Sequence, residues 1–220
     1  MHIEVIHNSK SIASESFRTL RSNIQFSNFG QSIQTIVVTS SNPNEGKSEV
    51  SINLAASLAQ QGKKVLLIDA DMRKPTQHKI IGVMNTEGLS KFLLRETGAE
   101  AIHRLDILDV KLDVLTSGPV PPNPSEMLAS FAMEQSIKAF VEHYDYVIID
   151  TPPLLAATDA QVLARIADAT LLVVDPKQSK RRQIVEAKKR LDNVGARLLG
   201  TVMNKLKLTE GNNYYYYYKY

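Results

Sequence analysis

Gly46-Lys47-Ser48 is the tripeptide of this 220-residue chain whose side chains most directly imply chemistry. It closes the stretch Ser40-Ser41-Asn42-Pro43-Asn44-Glu45-Gly46-Lys47-Ser48, between an apolar run and a helical pattern. This is the tail of a Walker A loop in the strand–loop–helix setting that the motif requires. Backbone N–H groups of such a loop, and of the helix it opens, form a concave cradle for phosphate oxygens. Lys47 would reach the β- and γ-phosphates, and the Ser48 hydroxyl would ligate Mg²⁺. The loop departs from the common pattern in three places. Ser41 replaces the first glycine, Asn44 stands where a second glycine is common, and Glu49 follows Ser48. Asparagine tolerates left-handed backbone, so the turn stays feasible. A helix dipole tolerates an acid in the first turn.

Two further segments carry carboxylates in matching positions. Val65-Leu66-Leu67-Ile68 runs into Asp69-Ala70-Asp71-Met72-Arg73, and Tyr146-Val147-Ile148-Ile149 runs into Asp150-Thr151-Pro152-Pro153. In an open α/β sheet, ligands bind beyond the carboxyl ends of the strands. Three strands therefore deliver Lys47 and Ser48, Asp69 and Asp71, and Asp150 to one edge. Carboxylates there can hold Mg²⁺ directly or through water, while one accepts a proton from an attacking hydroxyl. Any one of these aspartates reads equally well as a turn former. The combination reads as a phosphoryl-transfer site.

The elements that must position them follow from hydrophobic pattern. Candidate strands are 35–40, 64–69, 112–117, 146–150, 170–175 and 198–204, most of them near-continuous Val/Ile/Leu runs, as parallel strands covered on both faces require. Helices are expected over 47–60, 88–95, 124–143, 159–167 and 179–193. Val50, Leu54 and Leu58 recur at helical spacing before Gly62 stops the first of these. This βαβα order predicts a doubly wound, mostly parallel α/β sheet of the P-loop NTPase type with deviant Walker motifs. A further helix is expected over 11–29. Residues 1–204 read as one domain, and 205–220 as a flexible, low-complexity tail.

That tail holds six of the eight tyrosines, Tyr214, Tyr215, Tyr216, Tyr217, Tyr218 and Tyr220, with no hydrophobic alternation around them. Such a run suits a tethered acceptor for phosphoryl transfer better than a packing role. Extended, the segment after Asn204 reaches about 50 Å at ~3.3–3.6 Å per residue, enough for its own site or a neighbour's.

Composition narrows the classes. A formal charge of +3 gives nucleic-acid binding little support. With no cysteine, disulfides and thiolate metal sites are excluded, which suits a reducing compartment. The five histidines show no metal-ligand spacing, and the start lacks the basic and apolar regions of a signal peptide. No apolar run approaches the ~20 residues needed to cross a bilayer. The basic groups 180–182 and 188–190 read as a solvated helix face. Arg73 and Lys74, beside the acidic segment, could steer a phosphate or simply offset the aspartates.

At this point the chain resembles the bacterial tyrosine kinases of capsule and exopolysaccharide synthesis. The likeness rests on Gly46-Lys47-Ser48, Ile68-Asp69-Ala70-Asp71-Met72-Arg73, Ile149-Asp150-Thr151-Pro152-Pro153 and the tyrosine tail. It extends to Glu15-Ser16-Phe17-Arg18-Thr19-Leu20-Arg21 and Gly118-Pro119-Val120-Pro121-Pro122-Asn123-Pro124, and so runs from about residue 11 to the end. The resemblance implies ATP and Mg²⁺ as cofactors. It implies a nucleotide site drawn from Asn44, Glu45, Gly46, Lys47, Ser48, Glu49, Arg73 and Asn204, with Asn204 near adenine. Asp71 is implied as the proton acceptor, Lys47, Asp69 and Asp150 as its catalytic companions, and Ser48, Asp71 and Asp150 as metal ligands. The tail tyrosines are implied as autophosphorylation sites. Glu15, Arg18 and Arg21 are implied in assembly of a homo-oligomeric ring, although Glu15 and Arg18 equally suit a local pair on one helix face.

The same resemblance implies a separate transmembrane adaptor of the polysaccharide co-polymerase type, which would recruit a cytoplasmic kinase to the inner face of the plasma membrane. It also implies a cognate tyrosine phosphatase, while the charge balance leads us to expect no nucleic-acid partner. Two other readings remain open. A ParA/MinD-like ATPase switch shares the expected fold, but usually carries a second lysine five residues before the Walker lysine, where this chain has Asn42. A non-catalytic nucleotide-binding scaffold displaying an aromatic tail is the other.

Overall fold

A computed structural model describes residues 2–27 and 32–206, so the tyrosine tail and its assigned flexibility lie outside the described residues. The elements run α1 (Glu4–His7), α2 (Ile12–Phe26), β1 (Thr35–Ser40), α3 (Lys47–Ala59), β2 (Val65–Asp69), α4 (Gln77–Ile81) and α5 (Leu89–Leu93). A short 3₁₀ turn at Ala99–Ala101 leads into β3 (Ile102–Ile107) and β4 (Val110–Leu115). Then come α6 (Pro124–Leu128), α7 (Phe131–His143), β5 (Tyr146–Asp150), α8 (Asp159–Ile166), β6 (Ala169–Val174), α9 (Arg181–Asn193) and β7 (Leu198–Met203). The seven strands form one sheet in the order β3-β4-β2-β5-β1-β6-β7, all parallel except β3.

Strand periodicity sorts the core into two layers. Ile36, Val38, Val65, Leu67, Ile148, Leu171 and Val173 face one way, against Val50, Leu54 and Leu58 of α3, Ile24 of α2 and Val5 of α1. Their neighbours Val37, Leu66, Ile68, Val147, Ile149 and Leu172 face the other way, toward Met133, Ile137 and Phe140 of α7, Leu163 of α8 and Leu191 of α9. Successive side chains of a strand point to opposite faces, so a strand buried on both sides must be apolar throughout. That requirement is why β1, β2, β5 and β6 were visible as runs, and each is buried at every position.

The doubly wound, mostly parallel architecture is as expected, with several local differences. The edge strand β3 was not anticipated. It hairpins onto β4 through Leu108 and Asp109, both left-handed at φ 48° and 67°, as a two-residue primed turn demands. Leu-Asp carries neither of the glycine or asparagine signals of that turn, and half-exposed β3 has no continuous apolar run. The single helix expected over 124–143 is two. Ser130 accepts from the Met133 amide at 3.2 Å, capping α7 and ending the continuity with α6. Of the expected N-terminal helix, Ile12–Phe26 is helical, capped by Ser11, which accepts from Ser14 N. The short helices α1 and α4 were not anticipated. No helix among the described residues is long and apolar enough to cross a membrane.

Candidate active site

The site forms where β1, β2 and β5, adjacent in the sheet, all end. Parallel pairing places Asp69 opposite Asp150 at the last register position of β2 and β5. On the other side, β1 hands the chain to the loop that opens α3. Gly46 caps α3 in left-handed conformation at φ 91°, a position that suits glycine. A Cβ there would lie 2.0 Å from Asn204 Nδ2. Asn44 is also left-handed at φ 65°, which is how this loop manages without a second glycine.

Around that turn the loop is fastened by its own acid. The buried Glu45 carboxylate accepts the Asn42 amide at 2.9 Å and the hydroxyl of Ser179, which sits just before α9. Asn204 Nδ2 donates to Glu45 O at 3.3 Å and lies 3.5 Å from Glu49 Oε2. Gln178 donates to Asn44 O, and Lys205 reaches both Asn44 O and Asp175. Asn44, Glu45, Glu49 and Asn204 thus lie together, with the Glu45 carboxylate committed to the loop's shape and Glu49 exposed.

Inside the cleft, Lys47 Nζ lies 2.9 Å from Asp71 Oδ2 and 3.9 Å from Asp150 Oδ1, and donates to Ser48 Oγ at 3.2 Å. Burial works against the Lys47 ammonium, but the Asp150 and Asp71 carboxylates outweigh it and hold its pKa above the usual lysine value. Asp69 is fully buried and has a structural duty. Its Oδ2 accepts the Thr76 and Gln77 amides at 3.0 and 2.9 Å, and its Oδ1 the Asp71 amide at 3.2 Å. Burial, then the Asp150 charge, pushes its pKa up to about 8, against the opposing pull of those amides. Asp150 is also pushed up, by burial first. Two carboxylates at neighbouring strand ends in a dry site cannot both ionise freely without a cation.

Gln77 is the residue that sequence reasoning missed. Its side-chain amide donates to Asp150 Oδ2 at 2.8 Å and to Ser48 O at 3.0 Å, while its backbone amide holds Asp69. One glutamine therefore ties the phosphate loop to both carboxylate strands. Nothing in a lone Gln within Thr76-Gln77-His78 marks it, because its role depends on α4 folding back over the site.

The other expected residues separate from this cluster. Arg73 turns away, forking onto buried Asp159 through Nε at 2.9 Å and a terminal nitrogen at 3.1 Å, and donates to Ser125 Oγ at 2.8 Å. Its pKa is raised chiefly by that bond to Asp159. Glu15 and Arg18 pair within α2 at 2.7 Å, and Arg21 donates to Ser57 O of α3 at 2.7 Å. The tail tyrosines lie outside the described residues.

Among the described residues, no group of three His, Asp or Glu side chains forms a ready metal cage. Mg²⁺ does not need one, since it commonly takes one or two carboxylates alongside substrate phosphates and water. The buried Asp150 Oδ1 has no hydrogen-bond partner, and such an oxygen beside Ser48 and Asp71 fits a magnesium-bound triphosphate.

Known proteins resemble this chain in sequence and in fold. A family profile described as an AAA domain matches residues 33–207. The chain is 45% identical over 208 residues to tyrosine-protein kinase YwqD of Bacillus subtilis, covering 94% of this chain and 87% of that protein. It is 43% identical over 210 residues to the putative tyrosine-protein kinase CapB of Staphylococcus aureus, covering 95% and 91% respectively. The kinase domain of Escherichia coli tyrosine kinase ETK superposes with a TM-score of 0.90 at 33% identity, over 97% of this chain and 84% of that one. With the phosphate loop and three strand-end aspartates assembled as described, the chain belongs to the bacterial tyrosine-protein kinase family.

Proposed function

We propose that this chain transfers the γ-phosphoryl group of ATP to tyrosine hydroxyls, taking its own cluster Tyr214–Tyr218 and Tyr220 as acceptors, and so regulates capsular or exopolysaccharide synthesis and export. The observation that carries this reading is Lys47 held between Asp71 and Asp150 at one sheet edge, in a chain that ends in tyrosines. In the transfer, the tyrosine oxygen forms a bond to phosphorus as the bond from the β–γ bridging oxygen breaks, leaving ADP, and the phenolic proton passes to Asp71. Mg²⁺ would neutralise charge developing on the phosphates, with Ser48, Asp71 and Asp150 to hold it. Lys47 must exchange its carboxylate partner for a phosphate before Asp71 can serve as base. The base is therefore released only when a triphosphate is present. Positioning and charge neutralisation do most of the work in this chemistry, and a base adds about 10²–10⁴-fold.

Incubation with Mg·ATP and an activating adaptor segment, followed by mass spectrometry of the tail, tests the reading. Phosphate on the tail tyrosines that vanishes in Lys47→Met supports it. ADP released without modified tyrosine points to an ATPase switch instead, and bound nucleotide without hydrolysis points to a scaffold.

Assembly belongs to the same proposal. Glu15 and Arg18 are partly exposed and could re-pair with a second copy, in a homo-oligomeric ring attached through a transmembrane adaptor to the membrane's inner face. Arg21 is tied to α3 and would set the angle of α2. Six phosphotyrosines at roughly −1.5 to −2 each put about −9 to −12 on the tail, enough to drive subunits apart until a tyrosine phosphatase removes them. Light scattering of modified and unmodified protein tests this, and equal masses would count against it.

A further inference from the structure

Next to the proposed base lies a cleft of about 490 Å³ lined by Arg73, Lys74, Pro75, Thr76, His78 and Lys79. The nucleotide chemistry above uses none of the lysines in it. Arg73 is neutralised by Asp159, so the unspent charge belongs to Lys74 and Lys79. Both are exposed, and among the described residues neither ammonium has a carboxylate within ion-pair distance. The segment that lines the cleft is anchored to the site, since the Lys74 backbone amide donates to Asp71 Oδ1 at 3.0 Å. A hollow edged by two unpaired ammonium groups, beside a tyrosine-accepting base, is chemically suited to a phosphate ester on the same peptide as the acceptor.

The acceptor sequence supplies such a peptide. Five tyrosines follow one another without interruption from Tyr214 to Tyr218. In an extended strand, neighbours lie ~3.3–3.6 Å apart along the chain, and every second side chain shares a face. A tyrosine at Asp71 thus has neighbours about 3–7 Å away along the strand, which is the reach to Lys74 and Lys79 that the proposal requires. Resting on the kinase reading, we propose that this cleft binds the phosphotyrosine of a partly modified tail and thereby holds the next unmodified tyrosine at the acceptor position. Modification then proceeds along the cluster, each phosphate of roughly −1.5 to −2 charge recruiting its neighbour.

Binding can be read without catalysis. Fluorescence anisotropy of a labelled peptide of residues 209–220, unmodified or phosphorylated at Tyr216 alone, is measured on the full chain without nucleotide. The phosphopeptide is expected to bind about tenfold more tightly. The preference should shrink in 0.5 M salt, where the screening length falls to a few ångström, and disappear in the double variant Lys74→Gln/Lys79→Gln. Both side chains are exposed, so an unchanged melting temperature checks that the variant is folded. Equal affinity for the two peptides, or a preference that survives in the double variant, overturns the proposal. So does binding to phosphatidylserine vesicles that depends on these lysines while the phosphopeptide shows no preference, which would make the cleft a membrane contact. A chain that shows the lysine-dependent preference yet transfers no phosphate upholds the cleft and sinks the kinase reading alone.

Discussion

Gln77→Met offers the sharpest test of how the site is held together. Methionine keeps the length of the side chain and leaves the backbone amide bond to Asp69 intact. It removes the 2.8 Å bond to the Asp150 carboxylate and the 3.0 Å bond to Ser48 O. A hydrogen bond to a charged group contributes about 1.5–3 kcal/mol, and a neutral one about 0.5–1.5. Up to about 1 kcal/mol returns because Gln77 Oε1 is buried without a partner and disappears too. The net loss is about 1–4.5 kcal/mol. For a protein of this size each kcal/mol lowers Tm by about 2–4 °C, so calorimetry should register a fall of about 2–18 °C. Asp150 and the phosphate loop lose their common tether, so nucleotide affinity should drop as well, by isothermal titration. A variant melting within 1 °C of the parent and binding nucleotide equally well would refute the reasoning.

Gly46→Ala forces a side chain into left-handed backbone at about 1–2 kcal/mol and drives its Cβ into Asn204, so it should weaken nucleotide binding far more than stability. Asp159→Asn removes the anionic partner of Arg73 and should cost about 2 kcal/mol by chemical denaturation, discounted because Arg73 is 44% exposed; no change would show the fork to be idle. Asp69 holds a proton up to about pH 8 in the folded, metal-free protein, whereas its unperturbed value is 3.8. The folded state therefore binds more protons across that window, and stability should fall as pH rises toward 8, by at most about 1.4 kcal/mol per unit. Melting in EDTA between pH 6 and 8.5 checks the sign, and a rising Tm would contradict it.

The main elements of the site were legible in the chain because they are local. A glycine-lysine-serine after a β-run, and aspartates closing two other β-runs, reveal their position by pattern alone, since fully buried parallel strands must be apolar along their length. Composition likewise excluded thiolate chemistry. Other features depended on partners distant in sequence. Glu45 fastens the loop to Ser179 across 134 residues, Arg73 spends its charge on Asp159 across 86, and Gln77 bridges Ser48 and Asp150 across 29 and 73. No local pattern encodes them, because a polar side chain's role is set by whichever group folding brings within about 3 Å. The strand-end acids were written in the sequence; which of them would touch lysine, amide or nothing was decided by packing alone.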